Sequence, residues 1–577
     1  MATKTWLGTT SSSWSVGSNW SPAAVPTSTD DLVFNNSVAS NVNTISTVNS
    51  IDFTGYTGTL SGASGITIAG STTGTSTGIS LRLSLGMTLT YNGTIFFSGA
   101  AGGYIYSNGK TILSPITFNN ATGIWSNQDA LNTSTTVAIT TGTLTAGASI
   151  TTGGLFTHTA GTLNLGSYTH NLFSFNSNNA NVRTINFGTS TLNITGNATT
   201  VWSTSTITSL TVSGTTPTIN FTYSGSTGTR LITMGALSEA NSIIVNISAG
   251  SDAITLAGAS FKSLNFTGYS GACPLGNNTI YKDLTLSATQ TIATSGTLTF
   301  AGTSVTQTIT SNGITIPTAT LTINSATTTV QNSGALTTTG VLTLTTGTLN
   351  INANLTIGAT SAFTFTAGTI NANNGANITS GTFSSSAANV RTLNMGNGNW
   401  TLTSTSIVWV ISALNMTLNC GQSKIIISNT SVLSTTFSST GSLTYYTIEY
   451  ARGGGAGNLI FATTTNTTIT NFIDNTSTAA HSIQFASGQW NFYKFNVRGT
   501  AGALVTISRS GTTSPIIAKV GQGIVPYCDY LNIISTGFTA SPATTWYAGA
   551  NSTGSGGGWV MTAAPSSQST LGVGGVG

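Results

Sequence analysis

Val341-Leu342-Thr343-Leu344-Thr345-Thr346-Gly347-Thr348-Leu349-Asn350 is answered 21 residues on by Ala362-Phe363-Thr364-Phe365-Thr366-Ala367-Gly368-Thr369-Ile370-Asn371. Strand and turn return together, and Leu321-Thr322-Ile323 precedes them at the same interval. Alternation of apolar residue and Thr puts one face inward and the other outward. Each period holds about three short strands, Val341 to Thr345, Leu349 to Asn352 and Leu355 to Ile357, parted by Gly, Asn or Ala-Gly corners. A fixed period near 20 residues built this way predicts one coil of a parallel β-solenoid.

A longer repeat carries the same register. Ile51-Asp52-Phe53-Thr54-Gly55-Tyr56-Thr57-Gly58 matches Leu264-Asn265-Phe266-Thr267-Gly268-Tyr269-Ser270-Gly271, and Ser107-Asn108-Gly109 matches Ser311-Asn312-Gly313. Phe156 to Gly161 matches Phe363 to Gly368, with His158 in the place of Phe365, and Asn181-Val182-Arg183-Thr184 matches Asn389-Val390-Arg391-Thr392. The expected fold is all-β, a right-handed parallel β-helix of about 19–21 residues per coil, with an N-terminal cap and a distinct β-rich C-terminal region. Tandem β-sandwiches are the alternative, although sandwiches do not repeat strand and turn on so short a period. The predicted divisions are a Trp-rich cap or attachment region at 1–50, a first solenoid half at 51–263, a related second half at 264–440, and an aromatic-rich, non-repeating region at 441–577. Stacked at about 4.8 Å per coil, the chain would build a rod of roughly 130 Å at most.

Composition narrows the function. The chain has 577 residues with 14 Lys+Arg against 10 Asp+Glu, so only 4% is charged, where a soluble domain carries roughly a quarter. A net charge of +4 is too thin for phosphate-backbone binding, so no nucleic-acid partner is expected. Cys273, Cys420 and Cys528 lie far apart, and neither a disulfide framework nor a zinc site follows from them. No metal site or cofactor is expected. The N-terminal stretch lacks the apolar run of a secretory leader, no stretch approaches a membrane helix, and no membrane insertion is expected.

β-Helical folds also host glycan-cleaving enzymes, which need two carboxylates across a scissile bond, about 5 to 9.5 Å apart. Asp30 and Asp31 would point apart on a strand, and Asp52 gives way to Asn265. Glu449 and Asp474 sit one coil apart and are the pair to consider; the alternative is that each is solvated or paired with Arg452, Lys494 or Arg498. His158 reads as a core position, and His170 and His481 have no ligand partner at metal spacing. No catalytic residue is assigned. Arg183 and Arg391, each the lone cation of its neighbourhood, are candidate subunit contacts because a guanidinium can satisfy unpaired carbonyls; the alternative is a solvated arginine kept by duplication. Trp490, Tyr493, Trp546 and Tyr547 are the candidate contacts to a glycan or host surface, since aromatic faces stack on sugar rings; the alternative is a capping core or an oligomer seam.

Trp6-Leu7-Gly8 through Trp14, Asn19-Trp20-Ser21 and Pro26 to Phe34, the Gly-Thr-Leu-Thr coils, and Thr544 to Thr553 resemble the Thr/Gly-rich β-solenoid structural proteins of tailed bacteriophages. More loosely, the chain is similar to the passenger segments of bacterial autotransporter adhesins, from which it departs in lacking a leader and a barrel. The phage resemblance implies a non-enzymatic fibre, spike or decoration, a homotrimer held to other virion proteins. It also implies assembly in the host cytoplasm, display on the virion surface, and contact with a host-surface glycan. A bacterial adhesin or filament subunit and a glycan-degrading tailspike are the alternatives.

Overall fold

A computed structural model describes residues 2–70, 78–293, 295–462 and 466–565. It is a parallel β-solenoid, and its chain divides into two compact units, Met1–Ala293 and Thr294–Gly577. The only helical turns among the described residues are two short 3₁₀ segments, Gly17–Asn19 and Glu239–Asn241. Among the described residues the strand pairing is parallel except for Thr5 and Trp6 against Ser21 and Trp20 and one isolated bridge between Thr500 and Ala503. That excludes stacked sandwiches, whose sheets are antiparallel.

In the first unit, Ile116, Val137 and Phe156 stack in one row, and Phe118, Ile139 and His158 in the next. Trp125, Leu144 and Leu163 form a row on a second face, and Leu131 and Ile150 on a third. All ten are buried. In the second unit Leu321, Leu342, Phe363 and Phe383 stack in the same way, with Thr322, Thr343, Thr364 and Ser384 beside them facing out. Coil length is more variable than the repeat suggests. Hydrogen bonds join residues 19 apart at Ser177 and His158, 21 apart at Asn371 and Asn350, and 31 apart at Thr233 and Trp202. Extra residues loop out between strands while the inward rows stay in register.

Polar ladders run along the outside. Asn193 donates to Asn171, Asn220 to Asn193 and Asn246 to Asn220, at 2.8 to 2.9 Å. In the second unit Asn371 donates to Asn350, Asn394 to Asn371 and Asn419 to Asn394, at 2.6 to 2.8 Å. Each amide within a ladder both gives and receives, so identical residues one coil apart are complementary. The Ser-Asn-Gly turns are also shared. Asn108 and Asn312 both adopt the left-handed region, with φ of 47° and 49°, and each is followed by a left-handed Gly, the residue types that tolerate it best.

Three of the expected boundaries move. The cap is shorter than 1–50, because Asp31–Val33 already pairs in coil register with Ser50–Asp52; what precedes it is a knot of Trp6, Trp14 and Trp20 around Phe34, with ring centroids 4.9 to 5.9 Å apart. The chain divides at 293/294 rather than 263/264, so both Phe-Thr-Gly-Tyr turns fall in the first unit. They are built alike. Asp52 and Asn265 each accept from the N–H and hydroxyl of the Thr two residues on, and Tyr56 and Tyr269 each donate to a carbonyl three residues on.

Past 441 the coils continue rather than stop. The second face ends with Met416–Asn419, where the Asn ladder also ends. From there each coil keeps two strands: Thr435–Thr440 with Thr444–Tyr450, Leu459–Ala462 with Thr467–Asp474, and His481–Phe485 with Gln489–Val497. The two rows run on to Leu531–Ile534 and Thr539–Ser541. The spacing is now 24 residues, as between Ser482 and Asn458. The longer strand of each pair turns a corner at two successive outward residues, as at Tyr493 and Lys494, and large rings fill its inward rows, so aromatics thicken here.

Candidate functional site

Arg183 and Arg391 are fully buried in their own chain, so neither is a subunit contact nor a solvated arginine. Each clamps the corner that its coil shares with the next. Arg183 donates to the carbonyls of Ser177 at 3.0 Å, Asn181 at 2.8 Å, Thr208 at 3.1 Å and Thr206. Arg391 donates to the carbonyls of Asn389 at 3.1 Å, Ser412 at 3.0 Å, Leu414 at 2.7 Å and Ser385. A five-donor fork suits a corner where several carbonyls converge without a ladder partner. Burial pulls both guanidinium pKa values down. Arg452 does the same on another connection, donating to the carbonyls of Asn429 and Leu433.

Trp490 and Trp546 are also interior and present no face to a ligand. Trp490 packs on Phe461 at 4.9 Å, and Trp546 on Trp559 at 5.3 Å and Phe495 at 5.5 Å. They sit in inward rows, Trp490 beside Thr467 and Ile517. Tyr547 is half-buried, on a two-strand closure with Val560. Tyr493 is 46% exposed, because the strand turns both Tyr493 and Lys494 outward between the inward Phe492 and Phe495.

Glu449 and Asp474 do not meet. Glu449 faces out and pairs with Lys424 at 3.0 Å. Asp474 points in, and its Oδ2 lies 2.7 Å from His481 Nε2. His481 Nδ1 donates to the Ala479 carbonyl at 2.9 Å, and Tyr450, Arg452 and the Asp474–His481 pair form one buried polar cluster. His158 and His170 are buried, their rings bonded to the carbonyls of Gly161 and Leu165. The cysteines are unpaired, and no group of three or more His, Cys, Asp or Glu among the described residues could hold a metal ion. No helix among them is long and apolar enough to cross a membrane.

An open concavity of the second unit lies at the last coils. A cleft of about 440 Å³ is bordered by Asn475, Asn496, Arg498, Tyr527 and Asp529. Tyr527 is 65% exposed. The Arg498 side chain, 61% exposed, reaches Asp529 only at 3.6 Å. Asp529 is otherwise engaged, taking the N–H groups of Tyr530 and Asn551 and the Asn551 amide, each at 3.0 Å. Partial burial pushes its carboxyl up, and those donors with Arg498 outweigh it and hold the pKa below the ordinary carboxylate value. Sequence reasoning passed over Tyr527 because an isolated aromatic in a Pro-Tyr-Cys-Asp connection has no periodic signal. A shallower depression of about 540 Å³ in the first unit borders Leu85, Asn108 and Asp129, but the backbone N–H groups of Ser107 and Asn108 occupy that carboxylate.

No family model, curated protein or solved structure matches the chain.

Proposed function

We propose that the chain is a non-enzymatic structural protein of a tailed-phage particle, a fibre, spike or decoration that contributes to contact with the host surface. The observation that carries the proposal is the division of labour between body and end. The body is a parallel ladder dressed in Thr, Ser and Asn, held by main-chain bonds, amide ladders and buried arginine clamps. The last coils carry a polar cleft. Support for a non-enzymatic role comes from the acids: each of the ten acidic residues has a partner within the protein, and the one pair considered for hydrolysis points to opposite faces.

Low charge lets copies associate without repulsion, and the proposed form is a homotrimer attached to other virion proteins, assembled in the host cytoplasm and displayed on the particle. Isolated protein added to host cells before the phage should slow adsorption in proportion to its concentration. Adsorption unchanged at saturating protein would remove the host-contact role. Release of reducing sugars from envelope polysaccharide would replace it with a glycan-degrading one.

A further inference from the structure

We propose that the cleft between Asn475, Asn496, Arg498, Tyr527 and Asp529 binds an acidic saccharide, a chain of sugars carrying carboxylates. The inference names the ligand class of the host contact proposed above and rests on that reading. It starts from groups the fold leaves unused. Among the described residues, no hydrogen bond within the protein occupies the side-chain amides of Asn475 and Asn496 or the Tyr527 hydroxyl, and the Arg498 guanidinium has its one charged neighbour at 3.6 Å. This contrasts with Arg183 and Arg391, whose guanidinium nitrogens are all engaged by the fold itself.

The register brings these groups together. Arg498 follows Gln489–Val497, its N–H bonded to the Asp474 carbonyl at 2.7 Å, which sets Asn475 beside it one coil earlier. Asn496 lies two residues before Arg498 on the outer face, and the exposed Lys494 two before that, about 7 Å per step. Asp529 pairs with Arg498 across the next coil, which places Tyr527 on the rim.

The chemistry selects the ligand. An exposed ring provides a stacking face for a pyranose, and free amides offer paired donors and acceptors to vicinal hydroxyls. The guanidinium fork matches a carboxylate bidentately, with Lys494 adding a second positive charge nearby. Asp529, 3.6 Å from the guanidinium, offsets part of that charge, but the Tyr530 and Asn551 donors already hold its oxygens, which leaves Arg498 donors free for the ligand and Lys494 as the excess positive charge. The cleft therefore favours sugars with carboxylates over neutral ones.

The test is isothermal titration calorimetry of the full chain with tetragalacturonate, with an α2,8-linked tetramer of sialic acid, and with carboxyl-reduced tetragalacturonate. The expected result is that at least one acidic probe binds, at least tenfold more tightly than the neutral one, with affinity falling as salt rises. Arg498→Gln and Tyr527→Ala should each weaken it tenfold or more while leaving the melting temperature unchanged, since both side chains are exposed. Failure of both acidic probes to bind, equal binding of the reduced probe, or affinity unchanged in both variants would overturn the proposal. Binding by a chain absent from phage particles would sink the virion reading and leave the cleft standing. Particles that carry the chain and adsorb through it, with no acidic-sugar binding, would do the reverse.

Discussion

His481 Nε2 and Asp474 Oδ2 lie 2.7 Å apart inside the solenoid, and because the other ring nitrogen donates to Ala479, the two side chains share a proton. Burial alone would lower the imidazole pKa, but its bond to Asp474 and that carboxylate's charge raise it; burial raises Asp474 despite the histidine. The pair titrates as a unit. The folded chain thus keeps a proton that the unfolded chain releases near the ordinary imidazole value of 6.5. Stability from this pair is full below that pH and is lost as pH rises through the raised value. Melting temperature should fall with rising pH above 6.5, and the slope should vanish in Asp474→Asn/His481→Gln.

His158 predicts the opposite sign in a lower window. Burial lowers its pKa to about 4, so the unfolded chain binds the extra proton first. Stability should drop as pH falls from 6.5 toward about 4. His158→Phe, the residue that the second unit places at 365, should flatten that part of the profile.

Loss of a clamp leaves several buried carbonyls without donors. Arg391→Met and Arg183→Met should each cost about 3 kcal/mol or more in urea unfolding, at roughly 1–3 kcal/mol per buried group left unsatisfied. Mass in solution should not respond at sub-denaturing urea, which separates the clamp from a subunit contact.

Interior and exterior aromatics should part company. Trp546→Ala is expected to destabilise by about 3–5 kcal/mol, and Tyr493→Ala by no more than about 0.5 kcal/mol. Thermal melts of the two variants check this.

Asn394 both gives to Asn371 and receives from Asn419. Asn394→Ala should lose about 1–2 kcal/mol, two half-exposed hydrogen bonds, while Asn419→Ala at the ladder end should lose about half of that.

Coil register was legible in the sequence because solenoid strands obey two periods at once. Leu342, Phe363 and Leu321 announce their stacking by spacing alone, and the His158/Phe365 equivalence marks an inward position. What spacing does not encode is whether a polar or aromatic side chain points in. Arg183 reads as a surface cation until the corner carbonyls around it are seen, and Trp490 reads as a sugar platform until its inward row against Phe461 is seen. Past Asn419 the aromatics thicken while the coils continue, so the continuing coils read as a separate region. The cleft was invisible because Arg498, Tyr527 and Asn475 come from three different coils.

Immunogold labelling of tailed-phage particles released by the cells that express the chain tests the proposed virion role most directly. The account predicts gold at defined sites on the particle surface, with the chain present among the proteins of gradient-purified virions. Unlabelled particles, with the chain recovered instead on the bacterial envelope, would contradict it.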